Sequence, residues 1–222
     1  MLLSLVAAMR TIRLASTPST QDFARHLPEG SVVVADEQTS GRGRMGRNWV
    51  APAGSALLAS FVLHARPLAS LAAGVAAAEA CGDQVRLKWP NDLLLGGGKL
   101  AGILVERRGD RCIVGVGVNL SWAPPGASRL DADRDRLLER LGAALVRWFA
   151  APDEEVLATW RARAETLGRR VRVELPGESF EGLAEDLAED GSLIVSGRRV
   201  AAGDVIHLRE AGSAAGSPPS GP

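Results

Sequence analysis

Arg86-Leu87-Lys88-Trp89-Pro90-Asn91-Asp92-Leu93-Leu94-Leu95, then Gly96-Gly97-Gly98-Lys99-Leu100-Ala101-Gly102-Ile103-Leu104-Val105-Glu106, then Cys112-Ile113-Val114-Gly115-Val116-Gly117-Val118-Asn119 follow one another almost without interruption. Short apolar runs punctuated by glycine, proline and asparagine read as strands rather than as one helix. They predict strands over residues 86–89, 93–95, 100–106 and 112–119, with glycine-rich turns between them. Upstream, residues 55–63 alternate well enough for another strand, and Val32-Val33-Val34 for one more. Residues 68–80 form an alanine-rich helix whose small side chains suit close packing. Ser19 or Thr20 can cap a short helix through Leu27, which Pro28-Glu29-Gly30 ends. The expectation is an α+β domain: a mixed sheet with helices on one face.

Downstream of Asp133 the period changes. Leu137, Leu138, Leu141, Ala144, Leu145 and Trp148 recur at helical spacing, and a second helix is expected over residues 153–167. Past Gly168 the chain returns to short strands, over 170–175, 179–187, 193–195, 198–200 and 205–208, separated by Pro-Gly, Asp-Gly, Ser-Gly and Ala-Gly-Asp turns. A small antiparallel barrel is the natural reading. The expected organisation is therefore a catalytic unit over 1–167, a barrel over 168–210 and a disordered Gly/Ala/Ser/Pro tail over 211–222.

A chain of 222 residues that is 46% hydrophobic can bury one full core and a small appended module. Lys+Arg and Asp+Glu number 26 each, so no global basic field exists to drive non-specific nucleic-acid binding. A phosphate ligand must be held locally. Cys81 and Cys112 lie far apart without a C-x-x-C, which argues against a redox motif or a zinc knuckle and for two reduced, buried thiols. The apolar start, residues 1–9, lacks a basic n-region and a cleavage site, so it reads as a lead-in to the first strand rather than a signal peptide. No run approaches a membrane span. A cytoplasmic protein is expected.

Three segments carry chemistry. Gly41-Arg42-Gly43-Arg44-Met45-Gly46-Arg47-Asn48-Trp49 follows a strand and matches the G-x-G-x-x-G dinucleotide fingerprint. The fingerprint requires a helix to follow, and Trp49-Val50-Ala51-Pro52-Ala53-Gly54 denies one. Arginines at 42, 44 and 47 point instead to a flexible loop that brings guanidinium forks onto phosphate oxygens. Gly96-Gly97-Gly98-Lys99 is not a P-loop, because Leu93 and Leu100 occupy the places of the required glycine and Ser/Thr. It is a tight turn that presents one lysine. Lys88-Trp89-Pro90-Asn91-Asp92 gathers an ammonium, an amide and a carboxylate able to serve a nucleotide and its Mg²⁺. Gly115-Val116-Gly117-Val118-Asn119 lets backbone approach a ligand closely and ends in an amide. His26, His64 and His207 are scattered and read as surface or packing residues.

In this order and spacing, GRGR-x-GR-x-W, KWPND with KLAGILVE behind it, and GVGVN resemble the biotin protein ligases over residues 19–208. The resemblance implies a class II synthetase-like biotin/lipoate ligase catalytic domain. It also implies a two-step reaction: biotin and MgATP give biotinyl-5′-AMP and pyrophosphate, then a lysine of a biotin carboxyl carrier protein domain attacks the mixed anhydride. Carried over residue by residue, Ser19, Thr20 and Gln21 line the biotin pocket, with Gln21 where the family has Asn, and Thr39 faces the biotin ring system. Gly43, Arg44 and Met45 lie in the loop that closes over biotin and the adenylate, Met45 replacing an arginine common in some members. Arg42 and Arg44 neutralise phosphates, Lys99 binds the reacting carboxylate, and Lys88, Asn91, Asp92 and Asn119 serve nucleotide and Mg²⁺, with Asp92 as the metal ligand. Trp49 packs on the adenine side. Arg44, Lys99, Lys88 and Asp92 are the catalytic set.

The physical case agrees with that assignment. A carboxylate that attacks the α-phosphate brings two anions together, so cation placement and orientation supply most of the rate and no protein nucleophile is needed. Some family members carry an N-terminal DNA-binding domain; too few residues precede the catalytic region for one here, so no specific DNA binding is expected. The expected assembly is a monomer or weak homodimer. Two rivals stand beside this reading: a lipoate or octanoate ligase, and a non-catalytic biotin sensor.

Overall fold

The structure, a computed structural model, describes residues 9–208. The apolar lead-in and the tail expected over 211–222 lie largely or wholly outside the described residues. Seven strands make the first sheet: β1 (Arg10–Thr17), β2 (Ser31–Gln38), β3 (Ala56–His64), β4 (Arg86–Lys88), β5 (Asp92–Leu95), β6 (Gly98–Arg108) and β7 (Arg111–Asn119), in the order β1-β2-β3-β7-β6-β5-β4. β1 and β2 are parallel and all other neighbours antiparallel, so the sheet is mixed. β1, to which the sequence assigned no bounds, is an edge strand in which Ile12 and Leu14 are half-buried while Thr11, Arg13 and Ala15 between and beside them are exposed. The crossover from β1 to β2 carries the short helix α1 (Thr20–Ala24), capped by the Ser19 hydroxyl, which accepts from the Asp22 amide at 3.4 Å.

The two faces of this sheet differ. Leu57, Ala59, Phe61 and Leu63 of β3 point into the main core with α2 (Ala69–Cys81) and α3 (Arg134–Ala150). α2 is apolar on nearly every side because it is sandwiched between the sheet and two other helices, and its alanines permit that approach. A Cβ on Gly74 would already touch Leu87 and the Trp160 indole at 3.5 and 3.6 Å. Asp133 caps α3 by accepting from the Arg136 amide at 2.8 Å. On the opposite face, Ala24 of α1 packs with Val33, Val62 and Ile113. Helices therefore lie on both faces, the short one beside the site described below.

The helix expected over 153–167 is α4 (Asp153–Ala162) and stops five residues early. The reason is tertiary: Leu87 of β4 takes the chain over, donating its amide to the Arg163 carbonyl at 2.8 Å and accepting from the Glu165 amide at 2.7 Å. β8 (Arg170–Leu175), β9 (Glu178–Leu187), β10 (Leu193–Val195), β11 (Arg198–Val200) and β12 (Asp204–His207) then form an antiparallel sheet in the order β11-β10-β9-β8-β12. It is not a closed barrel. The terminal strands β11 and β12 have three and four residues, too short to supply the staggered pairing that closure needs. Val171, Val173, Leu187 and Leu193 from this sheet join the same core as α2 and β6. No helix among the described residues is long and apolar enough to cross a membrane.

Candidate active site

The strand register places the chemistry-bearing residues in rows. Lys88 pairs with Asp92, Asp92 with Gly102, and Gly102 with Gly117, so one line across four strands carries residues from all three strand motifs. Gly115, two residues from Gly117, faces the same side and pairs with Leu104 and with Ser60 of β3. The spacing of Gly115 and Gly117 has a steric origin. A Cβ on Gly115 would stand 2.5 Å from Gln21 Oε1, and one on Gly117 would stand 2.6 Å from the Trp49 indole. Trp49 also covers Gly102, whose added Cβ would meet the ring at 3.1 Å. Backbone without side chains is thus the floor of a cavity of about 240 Å³.

Above this floor lies the loop of residues 41–49. No helix follows it, which removes the dinucleotide reading; a 3-10 turn at Arg44–Gly46 is followed by a bridge between Arg42 and Asn48 that closes the loop on itself. Gly41 is required because a Cβ there would lie 2.4 Å from the Trp49 carbonyl oxygen. Gly96-Gly97 is likewise a turn, between β5 and β6, as the absence of the P-loop residues implied; Gly98 already opens β6, so Lys99 stands at the start of that strand rather than on the turn.

Arg44 and Lys99, far apart in sequence, line the same cavity together with Lys88, Asn91 and Asp92. Arg44 donates to Asn91 Oδ1 at 3.1 Å, and Asn91 donates to the Ile103 carbonyl at 2.8 Å. Lys99 Nζ sits 2.7 Å from Asp92 Oδ1 and 5.9 Å from the Trp49 ring centroid. Lys88 has no carboxylate within ion-pair distance among the described residues. Burial holds the Lys88 ammonium below its ordinary value, against the opposing pull of Asp92. Burial also lowers Arg44, against Asp204 and Asp92. Two partly desolvated cations beside a cavity make a site for an anion.

At the far end, Gln21 is buried and fully committed. It donates to the Ile113 carbonyl at 3.1 Å and, at 3.5 Å, to that of Leu104, and accepts from Ser60 Oγ at 3.1 Å. Thr20 Oγ1 lies 2.9 Å from Ser60 Oγ and donates to Gln38 Oε1 at 2.9 Å. Ser19 joins this lining.

Four of the sequence assignments place differently. Thr39 lies outside the cavity lining, where Gln38 is found instead: β2 ends at Gln38, and Thr39 opens the turn that follows, its amide donating to the Thr17 carbonyl at 3.0 Å. Asn119 is buried outside the lining and donates to the Lys99 and Ser128 carbonyls at 3.2 and 3.0 Å, so it braces the lysine's backbone rather than offering a free amide. Met45 is exposed on the outer side of the loop, at φ +53°. Arg42 lines the cavity but its guanidinium pairs with Asp22 at 2.6 Å and Glu106 at 3.3 Å. The sequence reading passed over Ser60, Gln38 and Asp204. Only Asp204 had a signal, as the last residue of the Ala-Gly-Asp turn. Cys81 and Cys112 are buried free thiols, pushed up to about 12 and about 11 by burial.

Residues 10–121 match the Biotin/lipoate A/B protein ligase family, and residues 166–208 match the Biotin protein ligase C terminal domain. The chain belongs to the biotin protein ligases. Among its ligase relatives, the biotin–[acetyl-CoA-carboxylase] ligase of Mycobacterium tuberculosis is 40% identical over 82% of this chain and 80% of its own length. That of Paracoccus denitrificans is 37% identical over 83% and 93%. A solved biotin protein ligase of Aquifex aeolicus, in complex with biotin and ATP, has a TM-score of 0.76 and 27% identity over 90% of this chain and 99% of that one.

Proposed function

We propose that this ligase forms biotinyl-5′-AMP in the cavity between the glycine floor and the arginine loop, and transfers the biotin to a lysine of an acetyl-CoA carboxylase carrier domain. The observation that carries the reading is the convergence of Lys88, Lys99 and Arg44 on one cavity whose other end is an uncharged, hydrogen-bonded pocket. A biotin carboxylate oxygen attacks the α-phosphorus of ATP and pyrophosphate leaves. The carrier amine then attacks the acyl carbon and AMP leaves.

Ser19, Thr20 and Gln21 line the biotin end, with Ser60 and Gln38 added to that set. Gly43 and Arg44 cover the reacting groups. Lys99 shares its charge with Asp92, which leaves Lys88 as the cation most available to the carboxylate or the α-phosphate. Trp49, whose Nε1 has no hydrogen-bond partner among the described residues, packs against the adenylate. Magnesium enters with ATP. Asp92, whose carboxylate lines the cavity, would hold the ion, which would supply charge neutralisation to the phosphates. Buried thiols suit the reducing cytoplasm.

The test is transfer of biotin to an acetyl-CoA carboxylase carrier domain with ATP. Wild type is expected to label the carrier and Lys99→Ala to do so about tenfold to hundredfold more slowly. Calorimetry with biotin and with lipoate separates this reading from a lipoate ligase, and absence of biotinyl-adenylate from labelled ATP would leave a sensor instead.

A further inference from the structure

The turn that ends at Asp204 brings the C-terminal sheet against the arginine loop. Arg47 Nη2 donates to Asp204 Oδ2, and Arg44 Nη2 reaches the Gly203 carbonyl at 3.4 Å. The Asp204 side chain is 16% exposed and that of Arg47 is 68% exposed. The carboxylate is therefore the fixed partner and the guanidinium the movable one. Glu174, opposite Asp204 in the β8–β12 register, lines the cavity as well. One wall of the cavity therefore carries two carboxylates, and the guanidinium that Asp204 holds is a cation that a polyphosphate entering the cavity would compete for.

We propose that Asp204 occupies on Arg47, in the ligand-free protein, the place that a phosphate oxygen takes when nucleotide binds. The C-terminal sheet thus keeps the loop latched over the cavity until the polyphosphate takes the arginine over. The latch rests on the reading of this cavity as a nucleotide site. One guanidinium fork cannot serve both anions at full strength, so a contact made only in the free state weakens nucleotide binding by the free energy of that contact. Asp204 is accordingly a positioning residue with an expected sign: removing it loosens the free loop yet tightens nucleotide binding.

The experiment follows tryptic cleavage after the loop arginines, with and without MgATP, alongside the KM for MgATP. In Asp204→Asn, cleavage of the ligand-free loop is expected to run about threefold to fivefold faster than in wild type, the range an exposed ion pair supports. The KM for MgATP is expected to fall by a similar factor, and Asp204→Glu to restore both. Arg47→Gln removes the latch from the loop side, so cleavage after Arg44 should accelerate equally there even if the Asp204 turn tolerates substitution poorly. Equal cleavage of wild type and Asp204→Asn, or a raised KM for MgATP in that variant, overturns the latch. Loss of the nucleotide reading looks different: MgATP then protects neither protein, while the difference in ligand-free cleavage remains.

Discussion

The cavity has two walls built on opposite principles. Its floor is strand backbone, with Asp92, Gly102 and Gly117 held in register by strand neighbours on both sides and Lys88, on the edge strand β4, by one. Its cover, residues 41–49, is tied down by side-chain contacts of Arg42, Arg44 and Arg47 to Asp22, Glu106, Asn91, Gly203 and Asp204. Exposed ion pairs contribute about 0–1 kcal/mol each, whereas moving the floor requires breaking a sheet. In the function proposed above, this difference would separate positioning from closure: a sheet-borne floor suits fixing where the carboxylate and the α-phosphate meet, and a cover held by side chains suits exchanging partners as substrates arrive and leave.

The most severe way to probe the floor is to remove its least compensated charge. Lys88→Ala should lower the rate of biotinyl-adenylate formation by about 10²–10³-fold, measured by pyrophosphate release, with little change in melting temperature, because a half-buried ammonium acts on charge that develops in the transition state. A loss no larger than that of Lys99→Ala would shift the decisive cation to Lys99 at the start of β6.

Two alanine substitutions sharpen the contrast between walls. Gly115→Ala presses on Gln21, which cannot withdraw because its amide is committed to two backbone carbonyls. It should destabilise the fold by about 1–3 kcal/mol, read by chemical denaturation. Gly117→Ala presses on Trp49, which belongs to the cover and can swing away. Its denaturation midpoint should stay close to wild type while indole fluorescence shifts toward that of an exposed tryptophan. Equal destabilisation by the two would mean that cover and floor are equally stiff.

The smallest effect concerns the joint between the sheets. Thr166 Oγ1 accepts from the Trp89 amide at 3.0 Å and lies 3.1 Å from His207 Nε2 on β12, while Trp89 Nε1 donates to the Gly191 carbonyl at 3.0 Å. Burial, with Lys88 and Arg169 nearby, pushes His207 down to about 4. The fold binds the neutral imidazole, so its contribution is complete above the unfolded value near 6.5 and is lost as pH falls toward 4. His207→Gln should therefore reduce the decline of melting temperature between pH 6.5 and 4, by about 1 kcal/mol of stability at the acid end. An unchanged pH slope would remove His207 from the joint.

Much of this site was legible in the order of residues. KWPND, the lysine turn and GVGVN announce strands by their short apolar runs and announce a ligand by charges and glycines placed among them. The strand reading over 112–119 and the helix period from Leu137 to Trp148 carry into the structure because alternation and 3.6-residue recurrence are local properties. Ser60 and Gln38 gave no such signal, since a serine within an apolar strand and a glutamine at a strand end resemble ordinary residues until the sheet pairs them with Gln21 and Thr20.

The chain's own pattern sufficed for most element types, for picking out three motifs whose residues line one cavity and for the rejection of dinucleotide and P-loop folds, because propensity, turn residues and charge act over a few positions. Cross-strand register and the meeting of the two sheets depend on contacts that only the folded chain assembles, the most distant of them, as between Arg44 and Gly203, joining opposite ends of the described chain. Those contacts ended α4 at Ala162, left the C-terminal sheet open, turned Asn119 into a brace and tied Arg47 to Asp204. Such outcomes follow from which side chains find one another in space, a property that no local window of sequence contains.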